Sequence, residues 1–196
     1  MKKNLIISIL MTIATTVLLG IIYPLVATGL AQLIFPDKAK GQLLEANGKI
    51  IGSRIIGQAF TSTAYFHSRP SAAGNGYDAA NSNGSQYGPT NQKLIDRVKG
   101  DVANTQADNP GTPVPIDLVT ASGSGLDPEI TPAAAAFQVP RVAKARGISA
   151  EQLRKLLSQH VEDRQFGFLG EARVNVLELN LDLDRLYPLT KQPEAD

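Results

Sequence analysis

Charged side chains are absent from a long N-terminal stretch, since the 196-residue sequence has none between Lys3 and Asp37. About twenty helical residues, at about 1.5 Å each, cross a hydrocarbon core of about 30 Å. The stretch therefore predicts a transmembrane helix over about residues 5–35, within an N-terminal region of residues 1–36. A cleaved signal peptide is the alternative, but this run is roughly two to three times as long as the usual signal-peptide core. A retained membrane anchor is the preferred interpretation.

Cysteine is absent too, which excludes thiolate nucleophiles and cysteine metal sites and is compatible with either side of a membrane. The net charge is +1 with acidic and basic residues interspersed, which argues against nucleic acid as a partner. The positive-inside rule does not decide the orientation, because Lys2 and Lys3 precede the apolar run while Lys38 and Lys40 follow it.

Recognisable catalytic motifs are missing as well. There is no G-x-x-x-x-G-K-[ST] phosphate loop, and the Gly-Ser-Gly segment 123–125 lacks the lysine that such a loop needs. His67 and His160 lack H-E-x-x-H spacing, and solvation or pairing with Glu162 or Asp163 accounts for His160. We therefore predict no catalytic residue, no metal ligand and no cofactor held by this chain.

Small residues recur at every fourth position of the apolar run, at Ser8, Thr12, Thr16 and Gly20. Such a stripe lets two membrane helices approach closely, so these four residues are candidates for packing against a partner helix. The alternative is that serine and threonine are simply tolerated in a long span. Pro24 predicts a kink.

The remaining residues, 37–196, predict one α+β domain, because strand and helix patterns mix without a strict βαβ rhythm. The apolar runs on either side of Asn47-Gly48 predict a hairpin whose second strand extends to Gly57. Helices are predicted at 91–107, at 133–146 with a break or bend at Pro140, and from a capping box at 149–152 with an apolar face that ends at Val161. Further strands are predicted at 116–119 and, from the Leu/Asp alternation, at 173–183, with a helical end toward Tyr187 as the alternative.

The segment of about residues 61–93 contains no Leu, Ile, Val or Met and is rich in Gly, Asn, Ser and Ala. That composition is typical of a flexible linker. Its aromatic residues favour an ordered loop instead, since side chains of this size anchor a segment by packing. Asp78 fits a turn, with one arm of a cation site as the alternative.

Five ordered motifs occur at residues 65–74, 87–91, 122–128, 138–143 with 145–147, and 169–177 with 179–181. Together they resemble the C subunit of the Kdp-type potassium-transporting P-type ATPase. The length and the single N-terminal span match too, while Ala172 departs from the proline expected in a Gly-Glu-Pro-Arg motif.

The resemblance implies a non-catalytic accessory subunit in a bacterial inner membrane, with a cytoplasmic N-terminus and an extracytoplasmic domain. Its implied partners are a channel-like potassium-translocating subunit, a P-type ATP-hydrolysing subunit and the lipid bilayer. ATP and potassium would be used by the complex, in which this chain would assemble or stabilise the channel-like and ATP-hydrolysing subunits. A second family-level role is a catalytic chaperone that raises ATP affinity. The loop residues predicted to dock on a partner are Tyr65, Phe66, His67, Arg69, Tyr77, Asp78 and Tyr87.

Two alternatives from other functional classes stay open at this point. The chain could be a membrane-tethered hydrolase that uses His67, or a tethered extracytoplasmic ligand-binding module. Both alternatives predict that the chain works alone.

Overall fold

The computed structural model describes residues 1–46 and 48–189. The chain divides into two compact units, Met1–Ser53 and the part that follows from Arg54. Each unit is described by itself.

The first unit begins with a long apolar helix. Helix α1 (Lys2–Thr15) continues through a π-helical segment (Thr16–Ile22) into helix α2 (Tyr23–Ile34). Within the described ranges, this is the one helix long and apolar enough to cross a membrane, with 33 residues.

The widened π-helical turn lies just before Pro24 and accounts for its tolerance in the helix. Proline has no N–H to donate and its ring collides with the carbonyl four residues back. The structure relieves this by pairing the Tyr23 N–H with the Leu18 carbonyl, five residues back. The structure thus places a π segment just before the proline for which a kink was predicted, of the kind found where a proline interrupts a membrane helix.

A short helix, α3 (Pro36–Ala39), and a hairpin complete the first unit. Strands β1 (Leu43–Ala46) and β2 (Lys49–Ser53) pair antiparallel, as predicted, while Asn47 of the predicted turn lies outside the described residues. The predicted extension of the second strand to Gly57 is wrong. The Gly57 N–H instead donates to the Leu126 carbonyl at 2.8 Å, in the second unit.

The described part of the second unit, residues 54–189, is built around four α-helices. They are α4 (Gln92–Asp108), α5 (Pro132–Arg146), α6 (Ala150–Gln159) and α7 (Val176–Leu186). Side-chain caps begin each of them, including the predicted capping box between Ser149 and Gln152. The left-handed Gly147, with φ of 66°, ends α5.

A small antiparallel sheet packs with these helices in the order β3 (Glu129–Ile130), β5 (Arg173–Asn175), β4 (Val161–Glu162). Val174 of the central strand faces Ile130 on one side and Val161 on the other, and it is fully buried. The combination of helices and small sheets confirms the predicted α+β class.

The core of the second unit lies between α5, α6, α7 and the sheet. Its largest fully buried apolar side chains are Phe66, Val139, Val142, Leu153, Val174, Val176, Leu179 and Leu183.

Two predicted strands are wrong. Residues Ile116–Leu118 form a 3₁₀ turn, because Asp117 points inward and its carboxylate accepts the Thr131 N–H at 2.7 Å. The predicted strand at 173–183 stops at Asn175, whose side chain accepts the Glu178 N–H and caps α7. The alternation of leucine and polar residues suggested a strand. In the structure, however, α7 buries Asn180 together with its leucines, and the spacing of these buried residues forms one face of a helix.

Other details differ from expectation. Pro140 lies inside a continuous α5, so the predicted break is absent there. Val161 belongs to β4 and not to the face of α6. His160 pairs with Asp182 at 3.0 Å, and not with Glu162 or Asp163, because α7 brings Asp182 beside it.

Candidate docking surface

The loop of residues 61–93 packs on the rest of the second unit although it lacks large aliphatic side chains. The anchor is Phe66, whose side chain is fully buried in the core. A phenylalanine of this size gains about 1.5–3 kcal/mol from full burial. Phe66 therefore holds the loop from inside, and the remaining candidate residues lie around it.

Two buried amide side chains take the place of a neighbouring strand. Asn180 on α7 accepts the Phe66 N–H at 2.9 Å and donates to the Phe66 carbonyl at 2.9 Å. Gln138 on α5 does the same for His67, at 2.8 and 3.0 Å. Because an amide offers both a donor and an acceptor, each satisfies one residue's backbone completely.

Two arginines donate hydrogen bonds to the backbone carbonyls of residues 63–65, just before Phe66. Arg146, whose side chain is fully buried, donates to the Ala64 carbonyl at 2.7 Å and to Asp184 at 2.7 Å. Its guanidinium also stacks over the Tyr65 ring, 4.7 Å from the centroid. Arg141 donates to the carbonyls of Thr63 and Tyr65 at 2.7 and 3.0 Å.

Burial shifts the ionisation of these groups. Burial, followed by the hydrogen bond to Asp184, raises the pKa of Tyr65. Burial, followed by the charge of Arg141, lowers the pKa of His67 below 6.5. His67 is therefore held neutral, with ring Nε2 2.9 Å from the Ser62 carbonyl oxygen.

The middle of the loop is joined to residues 122–127. Arg69 pairs with Asp127 at 2.9 Å, and the Ser71 hydroxyl donates to the Gly125 carbonyl at 2.6 Å. Gly125 has φ of 68°, and a Cβ there would lie 2.6 Å from the Asn83 carbonyl oxygen. Only glycine allows this close approach, so the Gly-Ser-Gly segment serves loop packing.

The other predicted docking residues lie nearer the surface. Tyr77 is half-buried and donates to the Arg69 carbonyl. The Asp78 carboxylate accepts from the Ala80 N–H and the Asn81 amide, and the Asn81 bond is the main cause of its lowered pKa. Tyr87 is exposed at the edge of a cleft.

That cleft has a volume of about 540 Å³ and runs between the loop and α4. Neutral loop residues line it together with Arg97 and Asp101 of α4, which form an ion pair at 2.8 Å. Hydroxyls, amides and this ion pair suit the binding of a polar chain segment, because they offer hydrogen-bond donors and acceptors.

Histidines and carboxylates do not assemble into a metal-ligand group in the described ranges. No cluster of three or more His, Asp or Glu side chains suited to a metal lies within residues 1–46 and 48–189. His67 contacts Ser62, whereas His160 contacts Asp182 on α7. Asp182 and Asp184 lie on α7 and pair with Arg185 and Arg146, respectively.

The four helix-packing candidates all lie on exposed surface of the N-terminal helix. The Ser8 hydroxyl donates to the Leu5 carbonyl and the Thr12 hydroxyl to the Ser8 carbonyl, both at 2.9 Å. Their hydrogen bonds are thus satisfied within the helix, as an apolar environment requires. Thr16 and Gly20 both fall in the π segment.

Sequence reasoning missed Gln138, Asn180, Arg141 and Arg146 as supports of the loop. A signal for the amides was present, since Gln138 stands between Phe137 and Val139, and Asn180 between Leu179 and Leu181. A polar amide within an apolar helical face requires a buried hydrogen-bond partner.

A protein-family model described as "KdpC: K+-transporting ATPase, c chain" matches residues 5–185. The chain belongs to this family. The Potassium-transporting ATPase KdpC subunit of Koribacter versatilis (strain Ellin345) is 67% identical over 189 residues, which cover 96% of this chain and 98% of that protein. The proteins of the same name from Acidobacterium capsulatum (56%, 92% and 97% covered) and Rhodopseudomonas palustris strain BisB18 (55%, 94% and 98% covered) are also similar.

Four of the five motifs that resemble the KdpC family are joined by hydrogen bonds in the structure. Residues 65–74 meet 138–143 through Gln138, 179–181 through Asn180, and 122–128 through Gly125. The segments that carry the family resemblance are therefore largely those joined by the polar network that holds the loop.

Proposed function

We propose that this chain is the non-catalytic accessory subunit of a high-affinity, ATP-driven potassium uptake complex. The observation that carries the proposal is the KdpC family match, which extends from residue 5 to residue 185 and so includes both the apolar helix and the second unit. ATP and potassium are then used by the complex, and this chain contributes binding surfaces.

The chemistry of the loop supports a binding role. Tyr65, His67 and Arg69 each hold another part of the same unit through a hydrogen bond or an ion pair. Nucleophilic catalysis would instead need a nucleophile beside a base that is free to accept its proton. The loop and its 540 Å³ cleft thus suit docking to the channel-like subunit.

The helix supplies a second proposed contact. The stripe from Ser8 to Gly20 would pack on a membrane helix of a partner subunit, with the N-terminus in the cytoplasm and the second unit outside. A chaperone effect on ATP affinity would then reach the ATP-hydrolysing subunit indirectly, as a coupling free energy through the assembly.

Co-purification tests the proposal. The full-length, tagged chain is extracted from membranes of cells that express all subunits, and potassium-stimulated ATP hydrolysis is measured in the eluate. We expect a stable complex whose activity is lost when this chain is omitted. Recovery of the chain alone, with hydrolase activity or saturable ligand binding of its own, would overturn the proposal in favour of a tethered enzyme or a binding module.

The helix contact has a matched pair of variants. Gly20→Leu places a large side chain in the stripe, where a Cβ already approaches the Thr16 methyl at 3.9 Å. Gly29→Leu makes the same change where a Cβ meets no atom within 4 Å, outside the stripe. We expect Gly20→Leu to reduce the yield of complex and Gly29→Leu to leave it unchanged, and equal yields would show that the stripe is incidental.

A further inference from the structure

A tight hairpin at residues 165–169 presents apolar side chains to solvent. Phe166 and Phe168 are 78% and 71% exposed, and Leu169 is 47% exposed. By contrast, Phe66 and Phe137 of the same unit are buried. Two neighbouring phenylalanines left in water mark an interaction site more strongly than scattered apolar residues do.

The hairpin holds these side chains on a defined backbone. Gln165 and Leu169 exchange both backbone hydrogen bonds, each at 2.9 Å. Phe166 adopts a left-handed conformation with φ of 54°, which is unfavourable for a residue that has a Cβ. Aromatic side chains on a fixed turn lose little conformational entropy on binding, which is typical of interface anchors.

An acidic cleft follows directly along the chain. Glu171 and Arg173 line a cavity of about 260 Å³ together with Arg69, Asp117, Asp127 and Glu129. Its four carboxylates and two guanidiniums leave a net charge of −2. Burial, with the charges of Asp127 and Glu162, raises the pKa of Glu129, although Arg173 opposes the shift.

This charge distinguishes between two possible binding partners of the hairpin tip, residues 166–169: a lipid bilayer and a protein surface. A bilayer with anionic lipids would attract basic residues around an inserted apolar tip. Here Asp163 and Arg164, which precede the tip, sum to zero, and the cleft that begins at Glu171 is negative. A protein surface with an apolar pocket and basic residues at its rim fits better.

We infer that the hairpin tip, residues 166–169, and the acidic cleft together form a docking surface for another subunit of the potassium-transporting ATPase. The partner surface offers an apolar pocket for the two phenylalanine rings and a lysine or arginine that enters the cleft. The inference rests on the proposed function, since it requires a partner subunit.

The test uses the assembled complex and two pairs of variants. The double variant Phe166→Ser/Phe168→Ser removes the rings, and Leu186→Ser is its control because Leu186 is 50% exposed on α7. Glu171→Lys reverses a charge of the cleft, and Asp96→Lys is its control on the exposed surface of α4. The midpoints of urea unfolding establish that each variant folds.

We expect the double variant to weaken binding to the other subunits by roughly tenfold or more, as for central aromatic anchors. Glu171→Lys should weaken it less, by roughly threefold, and the effect should shrink as salt is added. Both controls should bind as the unchanged chain does. If the unchanged chain does not assemble, the proposed function fails, whereas wild-type affinity in both test variants overturns the docking inference alone.

A tryptophan probe tests the bilayer directly. The chain has no tryptophan, so Phe168→Trp gives a single fluorophore at the tip. The full-length variant, without other subunits, is reconstituted into vesicles that contain brominated phospholipids. We expect no quenching by the bromine atoms, and strong quenching would overturn the inference by showing that lipid covers the tip.

Discussion

The loop of residues 61–93 and the helices α5 to α7 are held by different forces. The helices pack through leucine, valine and phenylalanine side chains that are almost completely removed from water. The loop contributes one large apolar anchor, Phe66, and is otherwise held by amide and guanidinium side chains that reach out from those helices.

This difference shows that a segment without large aliphatic residues can be ordered by its neighbours. Burial of apolar area orders the helices, whereas the loop depends on hydrogen bonds that are made only when α5 and α7 are already in place. A surface that must stay polar for docking can be fixed in this way. Substitutions in the helical core and in the polar contacts of the loop measure the two contributions to stability separately.

The largest effect is expected from the helical core. Leu179→Ala removes a fully buried side chain and should lower the free energy of unfolding by about 2–5 kcal/mol. Leu186→Ala, at a half-exposed position of the same helix, should cost much less. Urea unfolding of both variants measures the difference, and equal losses would contradict the packing described for α7.

The next effect is expected from the amide beside it. Asn180→Leu keeps an apolar α7 face but leaves the Phe66 N–H and carbonyl buried without partners. Each such group costs about 1–3 kcal/mol, and burial of the leucine side chain offsets part of that cost. We therefore expect a loss of about 2–4 kcal/mol in the free energy of unfolding, together with faster proteolysis within residues 61–93.

The control for this variant is Gln92→Leu, which removes an exposed amide from α4. It should change neither stability nor proteolysis appreciably. If Asn180→Leu is as stable as the unchanged chain, apolar packing alone holds the loop.

A smaller effect is expected at Tyr65. Tyr65→Phe removes the hydrogen bond to Asp184, which is 2.9 Å long, and keeps the ring beneath Arg146. The expected loss in unfolding free energy is about 0.5–1.5 kcal/mol. Tyr87→Phe, at an exposed position, should have no effect, and a loss equal to that of Tyr65→Phe would assign the change to something other than this bond.

The smallest effect is a dependence on pH. Because the pKa of His67 is lowered in the folded state, the unfolded chain binds the proton more tightly, and acid favours unfolding. The stability from neutral His67 is complete above about pH 6.5 and is lost as the pH falls from there toward the lowered pKa.

His67→Gln removes this titration while its amide replaces the bond from Nε2 to Ser62. We therefore expect the variant to lose less stability than the unchanged chain between pH 7.5 and pH 5.5, as measured by urea midpoints. His160 is present in both proteins and cancels in the comparison. Parallel pH profiles would contradict a buried neutral His67.

Much of the helical architecture could be predicted from the sequence because local signals determine it. The Thr131-Pro132 start and Gly147 end of α5, and the capping box of α6, depend on neighbouring residues alone. The span was predicted equally well, because the absence of charge between Lys3 and Asp37 is a property of the sequence itself.

The start of α7 was missed although its cap at Asn175 is local, because the leucine alternation suggested a strand. The turn at 116–118 was missed because it depends on Asp117 binding Thr131, 14 residues further along the chain. The supports of the loop were missed for the same reason: Asn180 is 114 residues from Phe66. The docking roles of the loop and the helix stripe stay predictions.

Hydrogen exchange tests most directly whether polar contacts order the loop. In the full-length chain, the backbone amides of Phe66 and His67 donate to buried Asn180 and Gln138 and should exchange about as slowly as those of α5. In Asn180→Leu the Phe66 amide should exchange much faster while α5 stays protected. Rapid exchange of both amides in the unchanged chain would contradict the account, because the loop would then be mobile on its own.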